Sequence, residues 1–286
     1  MHRPFVPALL ATLIIAACAH GPQRLDYVTL DSPSMRRPMQ YAAYLPPGFL
    51  PGERLPLLVF LHGAGDSPRS FESHGAAALL DQALQDGRVP RAVIVVPQGD
   101  MGMWTNWHDG TRHYEDWVVQ EVLRDATRRF HTLPCPEGCH LAGASMGGAG
   151  ALRIALHHPG QFASVSSLSG PVFDSEMVLR FANNRRIRAM IPVDRIFGPV
   201  KEGDDFSQED LYARWRAPED LKGLRLFLAW GDHDRKEIVQ TNRKFARHLA
   251  QRGIPFREEE YVGGHDWEHW GRMLVPMLQA QLGAAN

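Results

Sequence analysis

Two kinds of apolar run alternate along this chain. Short continuous runs, LLVFL at 57–61 and the stretch at 92–96, suit strands covered on both faces. Longer stretches repeat at helical spacing: Val118, Val122, Ala126 and Phe130 recur every fourth residue and mark one face of a helix over 115–130. In chain order the pattern predicts strands at 26–30, 40–45, 57–61 and 92–96, with a helix at 76–85 inside that series. After the 115–130 helix come a strand at 140–142, a helix at 146–158 and strands at 163–168 and 224–230. A helix at 237–251, a strand at 257–262 and a closing helix after Trp270 complete the series. Such strand-helix repeats predict an α/β fold, a mainly parallel sheet with helices on both faces, whose active residues stand at the carboxyl ends of strands.

The pattern loosens only over about 171–223. Prolines, charges and a group of arginines (Arg180, Arg185, Arg186, Arg188, Arg195) there predict an insertion roofing the strand ends. No linker divides the rest, so 26–284 reads as a single catalytic domain. A formal net charge of -1 argues against a nucleic-acid binder working by bulk electrostatics and favours a small-molecule partner.

Residues 1–18 stand apart. A basic start (His2, Arg3) followed by an apolar run from Phe5 to Ala17 has the anatomy of a secretory signal, and the run is too short to span a bilayer. The end of that run, Ile15-Ala16-Ala17-Cys18, resembles the lipobox of bacterial lipoproteins. That resemblance implies lipidation at Cys18 and an exported protein held at an envelope membrane only by its lipid; an ordinary signal peptide is the alternative. Outside the cytoplasm, Cys135 and Cys139 in LPCPEGCH can oxidise to a disulfide. A metal site on the same cysteines lacks a second ligand pair, so none is expected.

The candidate chemistry begins with GASMG at 143–147. Ser145 falls between a strand and a helix, where flanking glycines permit a sharp turn that lifts the hydroxyl above the sheet. The helix starting beneath it offers the Met146 N–H to a developing oxyanion. The Gly-rich loop after LLVFL supplies a second donor at Ala64, with Gly63 or Gly65 as near alternatives. A serine nucleophile needs a base, and the base an orienting acid. GGHD after the 257–262 strand offers His265. GDHD after the 224–230 strand offers Asp234, with Asp232 as the competing acid. His265 and His269 lie four apart like a metal pair, but no glutamate follows His265 as a zincin motif requires.

These residues, with VVPQGDMGMW, HYEDWVVQEVL, GASMGGAGALRIALHHPGQFASVSSLSG and GGHDWEHW, resemble the esterase family of α/β-hydrolases, which includes feruloyl and acetylxylan esterases, S-formylglutathione hydrolases and mycolyltransferases. The resemblance runs from about 26 to 280 and implies the α/β-hydrolase fold. It also implies Asp234 as the acid, at the fourth position of Gly-x-x-Asp, and a cleft lined by Trp104, Trp107 and Trp267. The expected function is hydrolysis of a small-molecule or glycan-linked carboxylic ester through an acyl-enzyme, without metal or organic cofactor. An acyltransferase with the same triad and a non-catalytic surface binding protein are the alternatives.

Overall fold

In the computed structural model, which describes residues 25–201 and 203–283, eight strands join into one sheet. They are β1 (Leu25–Ser32), β2 (Arg37–Tyr44), β3 (Leu57–Leu61), β4 (Val93–Pro97), β5 (Cys139–Ala144), β6 (Ser164–Leu168), β7 (Arg225–Gly231) and β8 (Arg257–Tyr261). Their spatial order is β1-β2-β4-β3-β5-β6-β7-β8; β1 and β2 run antiparallel to their neighbours, and the other pairs are parallel.

β3 shows why the sequence had to be apolar throughout. Leu57, Val59 and Leu61 face one core cluster and Leu58 and Phe60 the other, because alternate side chains leave a strand on opposite faces. On the first face lie a helical segment α2 over residues 114–129, then α3 (Met146–His157) and α8 (Lys236–Gln251). On the second lie α1 (Ala76–Gln85) and α9 (Trp267–Leu282).

Segment α2 departs from a plain helix. It consists of Tyr114–Asp116, a π-helical turn Trp117–Val122 and Leu123–Arg129. Four-residue spacing overshoots an α-helical turn by about 40° per step. The wider π turn takes up part of that drift, and Val118, Val122, Ala126 and Phe130 all reach the core. The closing helix starts at Trp267, earlier than the sequence suggested. The Asp266 side chain accepts from the His269 N–H and fixes the start.

Among the described residues the loosely patterned stretch contains four short α-helices, α4 (Ser175–Ala182), α5 (Arg185–Met190), α6 (Val193–Phe197) and α7 (Leu211–Arg214), and a 3-10 turn, Pro218–Leu221. Asp174, Asn184 and Asp210 accept backbone N–H groups at the starts of α4, α5 and α7. Ala182, Ile191, Val193 and Ile196 form a small core of their own, against which Met103 and Trp107 pack. Arg195 joins this unit to the body: its Nε donates to Asp109 at 2.7 Å and its guanidinium lies 5.2 Å from the Trp107 ring.

Cys135 forms a disulfide with Cys139, the first residue of β5. β8 is the outer strand, reads REEEY and stands largely exposed. Among the described residues no helix is long and apolar enough to cross a membrane. The expected lipidation site, Cys18, lies outside the described residues.

Candidate active site

The strand order reverses at β3 and β5: β3 leads outward to β4 on one side, while β5 begins the run to β8 on the other. A crevice opens at the carboxyl ends of strands at such a switch point. The loop after β3 carries Gly63 and Ala64, and the turn after β5 carries Ser145.

Ser145 has φ 54 and ψ −117, the strained turn the motif requires, and its N–H donates to the Leu168 carbonyl at 2.8 Å. The glycines beside it are sterically obligatory. A Cβ on Gly147 would lie 1.9 Å from the Leu61 carbonyl oxygen, and one on Gly143 would lie 2.3 Å from the Gly147 backbone. Gly63 sits at the same junction, where a Cβ would lie 3.5 Å from the Ser145 Cβ.

Three side chains from three loops meet at this point. His265 Nε2 lies 2.8 Å from Ser145 Oγ, and His265 Nδ1 lies 2.8 Å from Asp234 Oδ1. The imidazole is nearly enclosed, with 10% of its side chain exposed, and the Asp234 side chain is fully enclosed. Burial works to raise the Asp234 carboxyl, yet hydrogen bonds from His265 and Ser169 hold it below the usual carboxylate range. Asp232 goes elsewhere: its Oδ1 accepts the Gly263 N–H at 2.9 Å, and the His233 N–H reaches the Gly263 carbonyl at 3.0 Å. These bonds lace the loops after β7 and β8 together, so that Asp234 and His265 face each other. Trp270 meets the imidazole edge-on at 4.9 Å and backs it. His269 stacks on Tyr261 and bonds Asp266, and no metal-binding cluster occurs among the described residues.

The loop carrying Ala64 is fixed from both ends. Fully buried His62 accepts the Gly99 N–H through Nε2 at 3.0 Å and donates through Nδ1 to the Gly63 carbonyl at 2.8 Å; burial lowers its pKa and keeps it neutral. Farther along, Asp66 accepts the Trp267 indole N–H at 2.7 Å, which ties this loop to the helix that follows the histidine.

The tryptophans divide in a way their sequence positions did not reveal. Trp104, expected in the cleft, is fully buried; its indole N–H donates to the His62 carbonyl at 3.1 Å and its ring packs against Gly99 and Gly150. It supports the site from behind and is not a cleft residue. Trp107 and Trp267 are half-buried, each anchored by its indole N–H, to Gly102 and Asp66 respectively.

A cavity of about 340 Å³ opens one helical turn beyond Ser145, at Ala149 and Gly150, under the inserted helices. Phe173, Phe181, Phe197 and Phe206 line it, residues that irregular spacing concealed in the sequence. At its polar end Arg153 and Glu209 join a cluster with Glu115 and His157. His157 Nδ1 lies 3.1 Å from Glu115 and its Nε2 lies 3.2 Å from Glu209. Burial works to lower the His157 imidazole, but the two carboxylates raise it to about 9; burial works to raise Glu115, but His157, His158 and Arg153 hold it far below its ordinary range.

Comparison with known proteins identifies the family and the fold. The family model described as "Putative esterase" matches residues 32–281. An esterase of Mycobacterium tuberculosis is 28% identical over 232 residues, 75% of this chain and 49% of that protein. An acetyl esterase of Caldicellulosiruptor saccharolyticus is 27% identical over 188 residues, 64% of this chain and 68% of that one. The chain thus spans about half the length of the first of these relatives. A fluorophosphonate-binding serine hydrolase of Staphylococcus aureus shares the fold, with a TM-score of 0.73 at 20% identity over 89% of this chain and 96% of that one.

Proposed function

This chain belongs to the esterase family, and we propose that it hydrolyses carboxylic esters through an acyl-enzyme on a Ser145–His265–Asp234 triad. The supporting observation is the unbroken line of hydrogen bonds, 2.8 Å from serine to imidazole and 2.8 Å from imidazole to carboxylate, at the carboxyl edge of the sheet.

Ser145 Oγ attacks the ester carbonyl while His265 Nε2 takes its proton, and Asp234 holds the ring with Nδ1–H directed at Oδ1. Charge on the carbonyl oxygen is met by the N–H groups of Met146, the first residue of α3, and of Ala64. The imidazolium then gives its proton to the leaving alcohol, and water repeats the cycle to release the acid. The cavity walled by Phe173, Phe181, Phe197 and Phe206 suits a compact apolar group of a small-molecule or glycan-linked ester. We further propose that the protein works outside the cytoplasm, anchored to an envelope membrane through lipid on Cys18; the Cys135–Cys139 disulfide fits an oxidising compartment. Loss of palmitate labelling in Cys18→Ser is the expected result.

The test of the activity is hydrolysis of short p-nitrophenyl esters together with labelling by a fluorophosphonate. Ser145→Ala should abolish labelling and lower kcat by roughly 10⁴-fold or more. Full turnover in that variant would dismiss the triad.

A further inference from the structure

The triad leaves one oxygen of its acid unexplained. Asp234 Oδ1 takes the His265 Nδ1–H at 2.8 Å and the Arg235 N–H at 2.6 Å. Oδ2 is buried and makes no close hydrogen bond among the described residues. A desolvated carboxylate oxygen without a donor is costly, and it leaves the plane of the carboxylate free to rock about the bond to His265.

The group facing this acid comes from a third strand. Ser169 directly follows β6, is fully buried, and holds φ 52, a left-handed conformation that costs a non-glycine residue free energy. Its N–H donates to the Ala229 carbonyl at 2.7 Å, which fixes its backbone to β7 two residues before that strand ends. Its hydroxyl lies 3.2 Å from the phenol of Tyr261, the last residue of β8. Burial pushes the Tyr261 phenol up to about 12, so it keeps its proton throughout the working pH range and can act as the donor of that pair. The serine proton is then available to the carboxylate, and Ser169 is one of the groups that hold the Asp234 carboxyl low.

We propose that Ser169 is a positioning residue for the acid: Tyr261 donates to Ser169, and Ser169 donates to Asp234 Oδ2, extending the hydrogen-bonded line two residues behind the triad. The inference rests on the triad reading. It explains why a serine occupies a left-handed position that glycine would adopt without strain: glycine brings no hydroxyl. It also assigns a purpose to the meeting of β6, β7 and β8 at one point, since each supplies one member of the group that steers the imidazole.

Ser169→Gly removes the hydroxyl while suiting the backbone angle, so a loss in this variant cannot come from strain; Ser169→Ala keeps the strain and provides the comparison. Both should lower kcat by about tenfold with KM within about twofold, as expected when a charge-assisted hydrogen bond steering the base is lost. The low-field proton resonance of the His265–Asp234 hydrogen bond should shift in both. Tyr261→Phe should give a smaller loss of kcat and should add nothing in the Ser169→Gly background, because its hydroxyl acts only through the serine. A folded Ser169→Gly protein with unchanged kcat and an unchanged resonance would overturn the proposal, as would full additivity in the double variant. Undiminished activity in Ser145→Ala would instead sink the triad reading, and the resonance of Ser169→Gly would still report whether the serine steers the imidazole.

Discussion

A single methyl group at Gly147 would meet the Leu61 carbonyl oxygen at 1.9 Å, so the turn that presents Ser145 depends on the bare backbone of its neighbour. Since the opposing atom is main chain of a central strand, neither side can yield cheaply. Gly147→Ala should therefore lower both thermal stability and ester turnover, measured by calorimetry and p-nitrophenyl acetate hydrolysis, with turnover down by at least about 100-fold through the displaced oxyanion donor. The sequence announced this residue because the glycine-serine-glycine pattern is local. Trp104 carried no such signal. An indole beside a cleft and an indole behind it look alike in a sequence, and only the close fit against Gly99 and Gly150 decides between them. Ser169 was hidden for a similar reason: its φ of 52 and its phenol neighbour arise from strand pairing far along the chain.

At the level of elements, the site is a set of loops cross-braced above rigid strands. The Asp66–Trp267 bond joins the loop that carries Ala64 to the helix after His265, and His74 stacks flat against that indole at 4.8 Å. Trp267→Phe keeps a ring but loses the N–H. It should lower kcat by about tenfold, less than the hundredfold or more of losing an oxyanion donor outright. The inserted helices act on binding. Phe181→Ala, at the cavity wall, tilted against Phe173 and edge-on to Phe197, should raise KM severalfold for esters with a bulky apolar group and leave acetate esters nearly unchanged, since roughly 1–3 kcal/mol of contact is lost only when the cavity is filled. Strands and long helices were legible from periodicity of two kinds. The cavity was not, because helices of four to eight residues carry too few turns for a pattern to emerge, and three of the four start at a capping side chain, Asp174, Asn184 or Asp210.

For the molecule as a whole, the ionic cluster of Glu115, Arg153, His157 and Glu209 ties two helices of the body to the inserted unit. His157 is raised to about 9, so its contribution to stability is complete below its ordinary value near 6.5 and is lost as pH rises through about 9. Glu115 and Glu209 are lowered, so theirs is present above the ordinary carboxylate range and is lost as pH falls through their depressed values. Thermal melts should show a plateau from above the ordinary carboxylate range to about pH 6.5 and a decline from there to about pH 9, and His157→Gln should shrink that decline. An identical slope in the variant would remove this cluster from the account. The chain order Ser145, Asp234, His265 made the overall plan legible, since the strands before those three residues lie in chain order along the sheet, β5-β6-β7-β8. The outer strand adds a last consequence. Its run of three glutamates, Glu258 to Glu260, lies along the open hydrogen-bonding rim next to the loop that bears the imidazole. Like charge along that rim opposes edge-to-edge pairing of two molecules.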